Sequence, residues 1–331
     1  MKKIFLTISL LIGSLLVVAC SLNFEEDTRE RVAITHTVTK VTIVNGEEVQ
    51  NKVAITENFV VNPKVVAVFA IDVVDMIDAI GLDKFGIDLL GIAKSNLPSY
   101  LTEFNDSKYP NVGTLFEPNE DQLTAMMPDL IIIGGRSASL YDSLKADYPY
   151  ADVLDLSNSN YSFEVQKQVF ENIGKVFPAV KEDLESYEAS FEASFNEIKT
   201  AVEGKNALFL LVNGSAISVF GAGSRYGALY EEFGFMPSDP NVGETTSHGN
   251  IVSYEYVSAI NPEVIFLMDR GVATGGSAAT DQVINNPLIT GTSAGQNGLV
   301  ITLNAYAWYI TAGGIQATQA MIDDIYEVFV N

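Results

Sequence analysis

Short, unbroken apolar runs recur along this chain at 65–70, 89–93, 130–133, 207–212, 264–268 and 300–303, with helical patterns between most of them. A strand that is apolar at every position has both of its faces covered. Such runs, separated by helices, therefore call for sheets sandwiched between helices, an α/β architecture. Midway, Val180, Leu184, Tyr187, Phe191, Phe195, Ile198 and Val202 follow one another at spacings of three and four, with Glu and Lys on the other faces. That pattern predicts one long amphipathic helix after Pro178, ending near Gly204. About 24 residues at a helical rise make a rod of roughly 36 Å, long enough to join two lobes with limited hinge freedom. The expected fold is two Rossmann-like α/β lobes bridged by this helix, with a ligand cleft between them.

An internal repeat supports two lobes. Residues 121–136 (DQLTAMMPDLIIIGGR) align without a gap on 255–270 (EYVSAINPEVIFLMDR) at an offset of 134. Each copy reads as helix, Pro-acid turn, buried strand and terminal arginine. Ligands of open α/β sheets collect beyond the carboxyl ends of the strands, so Arg136 and Arg270 are expected to face the cleft. A third arginine, Arg225, follows the apolar stretch 217–220 in the loop Gly221-Ala222-Gly223-Ser224-Arg225-Tyr226-Gly227. The glycine spacing there is not that of a dinucleotide loop, and an arginine stands where backbone would approach phosphate. Arginine is scarce in the chain, and three guanidinium forks at strand ends suit an anionic, oxygen-rich ligand. Lys94, just after the run 89–93, joins the ligand-binding candidates.

Further candidates follow from donor chemistry. His248 lies in a polar loop ahead of a helix expected from about Ser253, and a lone histidine is more often structural or merely exposed than a ligand. Tyr306, Trp308 and Tyr309 follow the run 300–303 and precede a last helix at 315–329. Tyr306 and Tyr309, three apart, would share a face of a helical turn. A phenolate and an imidazole are good donors to ferric iron, but two donors cannot hold it alone, so iron would arrive with most of its ligands supplied.

Composition excludes other functions. The 331 residues carry a formal charge of −23, two histidines and a single cysteine. Duplex nucleic acid would be repelled. Zinc ribbons, disulfide scaffolds and multi-histidine cages lack their residues. No G-x-S-x-G elbow or H-E-x-x-H motif marks a secreted α/β enzyme. Residues 1–20 place Lys2 and Lys3 before an apolar core and end in Val17-Val18-Ala19-Cys20, the layout of a secretory leader. The ending looks like a bacterial lipobox, which makes Cys20 the expected lipidation site and the protein an extracytoplasmic, membrane-anchored one. Residues 21–31 read as a tether, 32–178 as the first lobe, 179–204 as the linking helix and 205–331 as the second lobe. Within the first lobe, residues 32–61 alternate as strands do, with Asn45-Gly46 as a hairpin turn.

Over essentially the whole mature chain the sequence resembles the solute-binding lipoproteins of ferric-siderophore ABC importers, and most of all their catecholate branch. The resemblance is carried by Val112-Gly113-Thr114, Glu117-Pro118-Asn119, Pro128-Asp129-Leu130-Ile131-Ile132, Arg136, Gly223-Ser224-Arg225-Tyr226-Gly227, Ser247-His248-Gly249, Asp269-Arg270 and Trp308-Tyr309. It implies a non-enzymatic monomer without an intrinsic cofactor, which takes a ferric siderophore as its transported ligand. It implies that Arg136, Arg225 and Arg270 neutralise catecholate oxygens. His248 and Tyr309 would complete the coordination of an iron left with only four donors. It further implies docking on an ABC permease, with its ATPase, through one acidic residue per lobe, for which Asp121, its neighbour Glu120, and Glu255 are the candidates. A haem or cobalamin receptor of the same fold is the alternative reading. The stretch 32–61 is longer than the resemblance leads one to expect, and 271–280 reads as a flexible loop beside Arg270.

Overall fold

The computed structural model describes residues 28–44, 46–243, 245 and 248–330. The leader, Cys20 and the tether as far as residue 27 lie outside the described residues, as does Ser247. The chain opens with a long hairpin, β1 (Arg31–Val44) and β2 (Glu47–Val60), paired antiparallel from Arg31 opposite Val60 to Val44 opposite Glu47. That register leaves two residues for the turn. Gly46 takes φ +87°, a left-handed conformation that glycine adopts without steric cost.

Four parallel strands follow: β3 (Val65–Val68), β4 (Leu89–Ile92), β5 (Leu130–Ile133) and β6 (Asp152–Asp155), in the order β4-β3-β5-β6. All four residues of β5 are buried, as a strand covered on both faces requires. The second sheet contains β7 (Asn206–Asn213), β8 (Ala216–Phe220), β9 (Met236–Pro237), β10 (Asn250–Val252), β11 (Val264–Asp269) and β12 (Val300–Thr302). Its order is β10-β8-β7-β11-β12, with β9 beside β7. Here β7, β11 and β12 run parallel, whereas β8 and β10 are antiparallel to their neighbours.

Between the sheets, a single 3-10 turn at Pro178–Val180 leads into the helix Lys181–Ala201. Its 21 residues bury Leu184, Phe191, Phe195 and Ile198, the stripe that the three-and-four spacing picks out. The last helix, Gln316–Phe329, packs along this linker and also returns to the first lobe. There Asp75, on the helix Ile71–Ile80, accepts the backbone N–H groups of Ile315, Gln316 and Ala317, and Tyr100 Oη donates to it at 2.9 Å. A carboxylate of one lobe thus caps the helix that ends the other.

The repeat is structural as well as sequential. Helix Glu120–Met126 is capped by Asn119, and helix Tyr254–Ile260 by Ser253. Each closes on a left-handed residue, Met127 at φ +49° and Asn261 at φ +51°, just before the Pro-acid pair. The acids do the same work in both copies. Asp129 accepts from Lys64 N and Val65 N at the start of β3, and Glu263 accepts from Asn206 N at the start of β7.

Candidate functional site

Where the two lobes face one another they enclose a cavity of about 560 Å3. The first lobe contributes Phe69–Asp72, Leu115, Gly134–Arg136 and Asn158–Asn160; the second contributes Gly223–Arg225, Thr245 and Ile310–Ala312. The volume suits a small organic ligand.

The three arginines converge on one residue, Tyr309. Arg136 Nη2 donates to the Tyr309 carbonyl at 3.0 Å, Arg225 Nη2 donates to the same oxygen, and Arg270 Nε donates to the phenol oxygen at 3.0 Å. The guanidinium carbons of Arg225, Arg136 and Arg270 lie 4.4, 5.1 and 5.9 Å from the ring centroid. Burial opposes ionisation of this phenol, but the Arg270 hydrogen bond and the charges of Arg270, Arg225 and Arg136 outweigh it, so Tyr309 lies below its ordinary pKa. Other phenols, Tyr226 and Tyr230 among them, are pushed up by burial. Arg136 is itself lowered, by burial first and by the like charge of Arg225 second. This is a cluster of half-buried cations with a carbonyl and one acidic phenol for partners, able to stabilise concentrated negative charge.

Local folding holds each arginine. Arg136 follows β5 in a tight turn where Gly135, at φ +42°, donates its N–H to Ser157 Oγ. Arg270 follows β11, and the carboxylate of Asp269 accepts from Val272, Ala279 and Thr280 N–H groups. The stretch 271–280, expected to be a loose loop, is in this way pinned at both ends. Arg225 takes a different route. It follows β8, which runs against β7 with Phe220 opposite Phe209, so its loop leaves from the opposite end of the strands to Arg270. The neighbouring Tyr226 stacks on Phe209 at 4.1 Å and fixes the loop's return. Gly223 N is occupied by the Glu231 carboxylate, a further reason why this glycine loop is no phosphate cradle.

Tyr306–Thr311 forms a π-helical turn closed by Ala312 N–H donating to the Ala307 carbonyl. The i→i+5 pattern widens the turn, so residues three apart no longer share a face. Tyr309 enters the arginine cluster and Tyr306, half-buried, does not; Tyr309, Arg270 and Tyr306 all lie beside the cavity and outside its lining, next to Ile310–Ala312, which form part of it. Trp308 points the other way, a correction to its expected ligand contact. Its indole packs against Phe209 and Phe233 and donates to Asp324 Oδ2 at 2.9 Å inside the second lobe. His248 is exposed and outside the cavity lining, although Thr245 of the same loop lines it. Lys94 turns to the Asp106 carbonyl at 2.7 Å and is likewise absent from the lining. Glu120, Asp121 and Glu255 are exposed in the first turns of the two repeated helices.

Sequence reasoning did not pick out Asp72. It lies in the first turn of the helix after β3, is 8% exposed and lines the cavity. A carboxylate two residues past an apolar run is a weak signal without the three-dimensional neighbourhood.

Comparison with known proteins agrees with this architecture. The petrobactin-binding protein YclQ of Bacillus subtilis is 35% identical over 98% of each chain. Its crystal structure matches at a TM-score of 0.73 and 34% identity, covering 88% of this chain and 98% of that one. The periplasmic catecholate-siderophore binding protein VctP of Vibrio cholerae matches at a TM-score of 0.74 and 31% identity, covering 88% of this chain and all of that one (100%). The ferric-anguibactin-binding protein FatB of Vibrio anguillarum is 30% identical over 76% of this chain and 79% of its own. The family model described as periplasmic binding protein spans residues 66–307, from β3 into the first residues of the turn Tyr306–Thr311 and short of Tyr309 itself. That span takes in most of the chain, with the four-stranded and six-stranded sheets almost entirely inside it, and the chain belongs to the periplasmic binding protein family.

Proposed function

We propose that this protein is a lipid-anchored extracytoplasmic receptor that binds a ferric siderophore of the catecholate class between its lobes and delivers it to an ABC permease without chemistry. The observation that carries the reading is the convergence of Arg136, Arg225 and Arg270 on Tyr309 beside an inter-lobe cavity. Ferric catecholates are anions, because their oxygens bring more negative charge than the iron cancels, and guanidinium forks match such oxygens. In an acidic chain the cluster is a local positive field, and the local field governs capture. The names of the relatives support the same class: VctP is a catecholate-siderophore binding protein, FatB binds ferric anguibactin and YclQ binds petrobactin. Iron is cargo here. Tyr309, its pKa lowered by its arginines, and His248 are the proposed donors for an iron left incompletely coordinated. Cys20 is the proposed attachment point.

The test is titration of residues 21–331 with ferric tetradentate and hexadentate catecholates, ferric hydroxamates and haem, following intrinsic fluorescence and visible absorbance. Ferric catecholates should bind at micromolar or lower concentration, with a charge-transfer band that shifts on Tyr309→Phe or His248→Ala for tetradentate complexes and barely moves for hexadentate ones. Binding of haem with no response to any ferric catecholate would sink the assignment.

A further inference from the structure

Two carboxylates stand one helical turn apart on the helix Ile71–Ile80, and they differ in what they hold. Asp75 is a structural group, with its oxygens taken by three backbone N–H groups and the Tyr100 hydroxyl. Asp72 is almost as buried, yet only amides at the start of its own helix reach it. Among the described residues it has no ion pair with a lysine or arginine, although Arg136 and Arg225 line the same cavity. Glycine backbone flanks it. A Cβ added at Gly134 would stand 3.8 Å from Asp72 Oδ1, and one added at Gly313 would stand 3.7 Å from Oδ2. A buried carboxylate that meets only amides of its own helix and no cation is costly to ionise, and a cavity wall is where a ligand can supply the missing positive charge.

We propose that Asp72 is a subsite for a cationic nitrogen, so that the ligand of this cavity is dipolar: anionic at its iron-binding oxygens and carrying an ammonium or similar N–H donor that pairs with Asp72. This deepens the siderophore reading above and rests on it. Burial, and then the neighbouring charges of Asp75 and Asp155, hold Asp72 up to about 7, so an arriving ammonium finds a group it can readily ionise. The arginines and Asp72 together would select for a ferric chelate whose scaffold is an amine, against an equally sized neutral one.

The experiment uses two synthetic probes, ferric complexes of one bis-catecholamide whose linker bears either a free secondary amine or the same amine acetylated. The wild-type protein should bind the free-amine complex at least about tenfold more tightly, as a charge-assisted hydrogen bond allows. In Asp72→Asn the two complexes should bind alike. The wild-type comparison needs no variant, so a poorly folded Asp72→Asn does not blunt the test. Equal wild-type affinity for both probes, or a variant that weakens both in proportion, overturns the Asp72 subsite and leaves the siderophore reading standing. If the wild type binds neither ferric probe, the siderophore reading fails and takes the subsite with it.

Discussion

Tyr309 is a phenol whose pKa is moved downward by its neighbours, and the reason is countable: one hydrogen bond from Arg270 and three nearby guanidinium charges, set against burial. A phenol of ordinary pKa near 10 is neutral at physiological pH; lowering it widens the pH range in which a phenolate is available to an electrophile such as ferric iron. The folded protein should ionise Tyr309 below the range where unfolded tyrosines titrate, so this group's contribution to stability grows as pH rises from its folded pKa to the unfolded one, is full above that, and is lost as pH falls through the folded pKa. In a difference titration of tyrosinate absorbance, wild type minus Tyr309→Phe should show a phenol ionising below the remaining tyrosines. Arg270→Gln should move it back up. A Tyr309 that titrates with or above the bulk would remove the basis for its donor role. This cluster was legible in sequence because arginine is rare and each copy of the repeat ends in one. Trp308 was misassigned because adjacent residues on any helical turn point in different directions, so the turn that gives Tyr309 to the arginines gives Trp308 to Phe209, Phe233 and Asp324.

At the scale of elements, hairpin and repeat were legible for local reasons. Gly46, at φ +87°, sits in the turn between β1 and β2, and the Pro-acid turns follow the helix ends in both lobes. Strand β6 was not, since only Val153 and Leu154 are apolar between Asp152 and Asp155. The hairpin's base is held by long-range contacts no local pattern carries: His36 Nδ1 accepts from Asp155 N at 3.1 Å, and Tyr141 Oη donates to Glu57 at 2.6 Å. The return of the last helix to the first lobe was equally hidden, because Asp75 and Ile315 are separated by 240 residues. That contact predicts a stability effect. Asp75→Asn places an amide N–H2 against backbone N–H or hydroxyl donors, and leaving a buried donor unsatisfied costs about 1–3 kcal/mol. Chemical denaturation should show the midpoint falling with an unchanged slope. An unshifted midpoint would mean that the capped helix start is not a stability determinant.

For the whole molecule, the offset of 134 has a consequence at the surface. It places Asp121 and Glu255 in the same turn of equivalent helices, one on each lobe, both exposed. Exposed acids at helix starts are favoured there in any protein, so their placement alone does not distinguish fold from docking. Their pairing across lobes does suit a partner that contacts both lobes at once, and a permease presenting basic groups at a matching separation would read the relative position of the lobes as well as their presence. Reversing charges at such an interface affects encounter and register more than the ligand cavity. The expected outcome for Asp121→Lys with Glu255→Lys is therefore a ferric-catecholate titration indistinguishable from wild type. Cellular uptake of the same complex should drop by about tenfold or more, with the single reversals falling between. Uptake that survives the double reversal would remove both residues from the docking surface. A loss of binding in the purified protein would show instead that these helix starts support the cavity through the strands β5 and β11 that follow them.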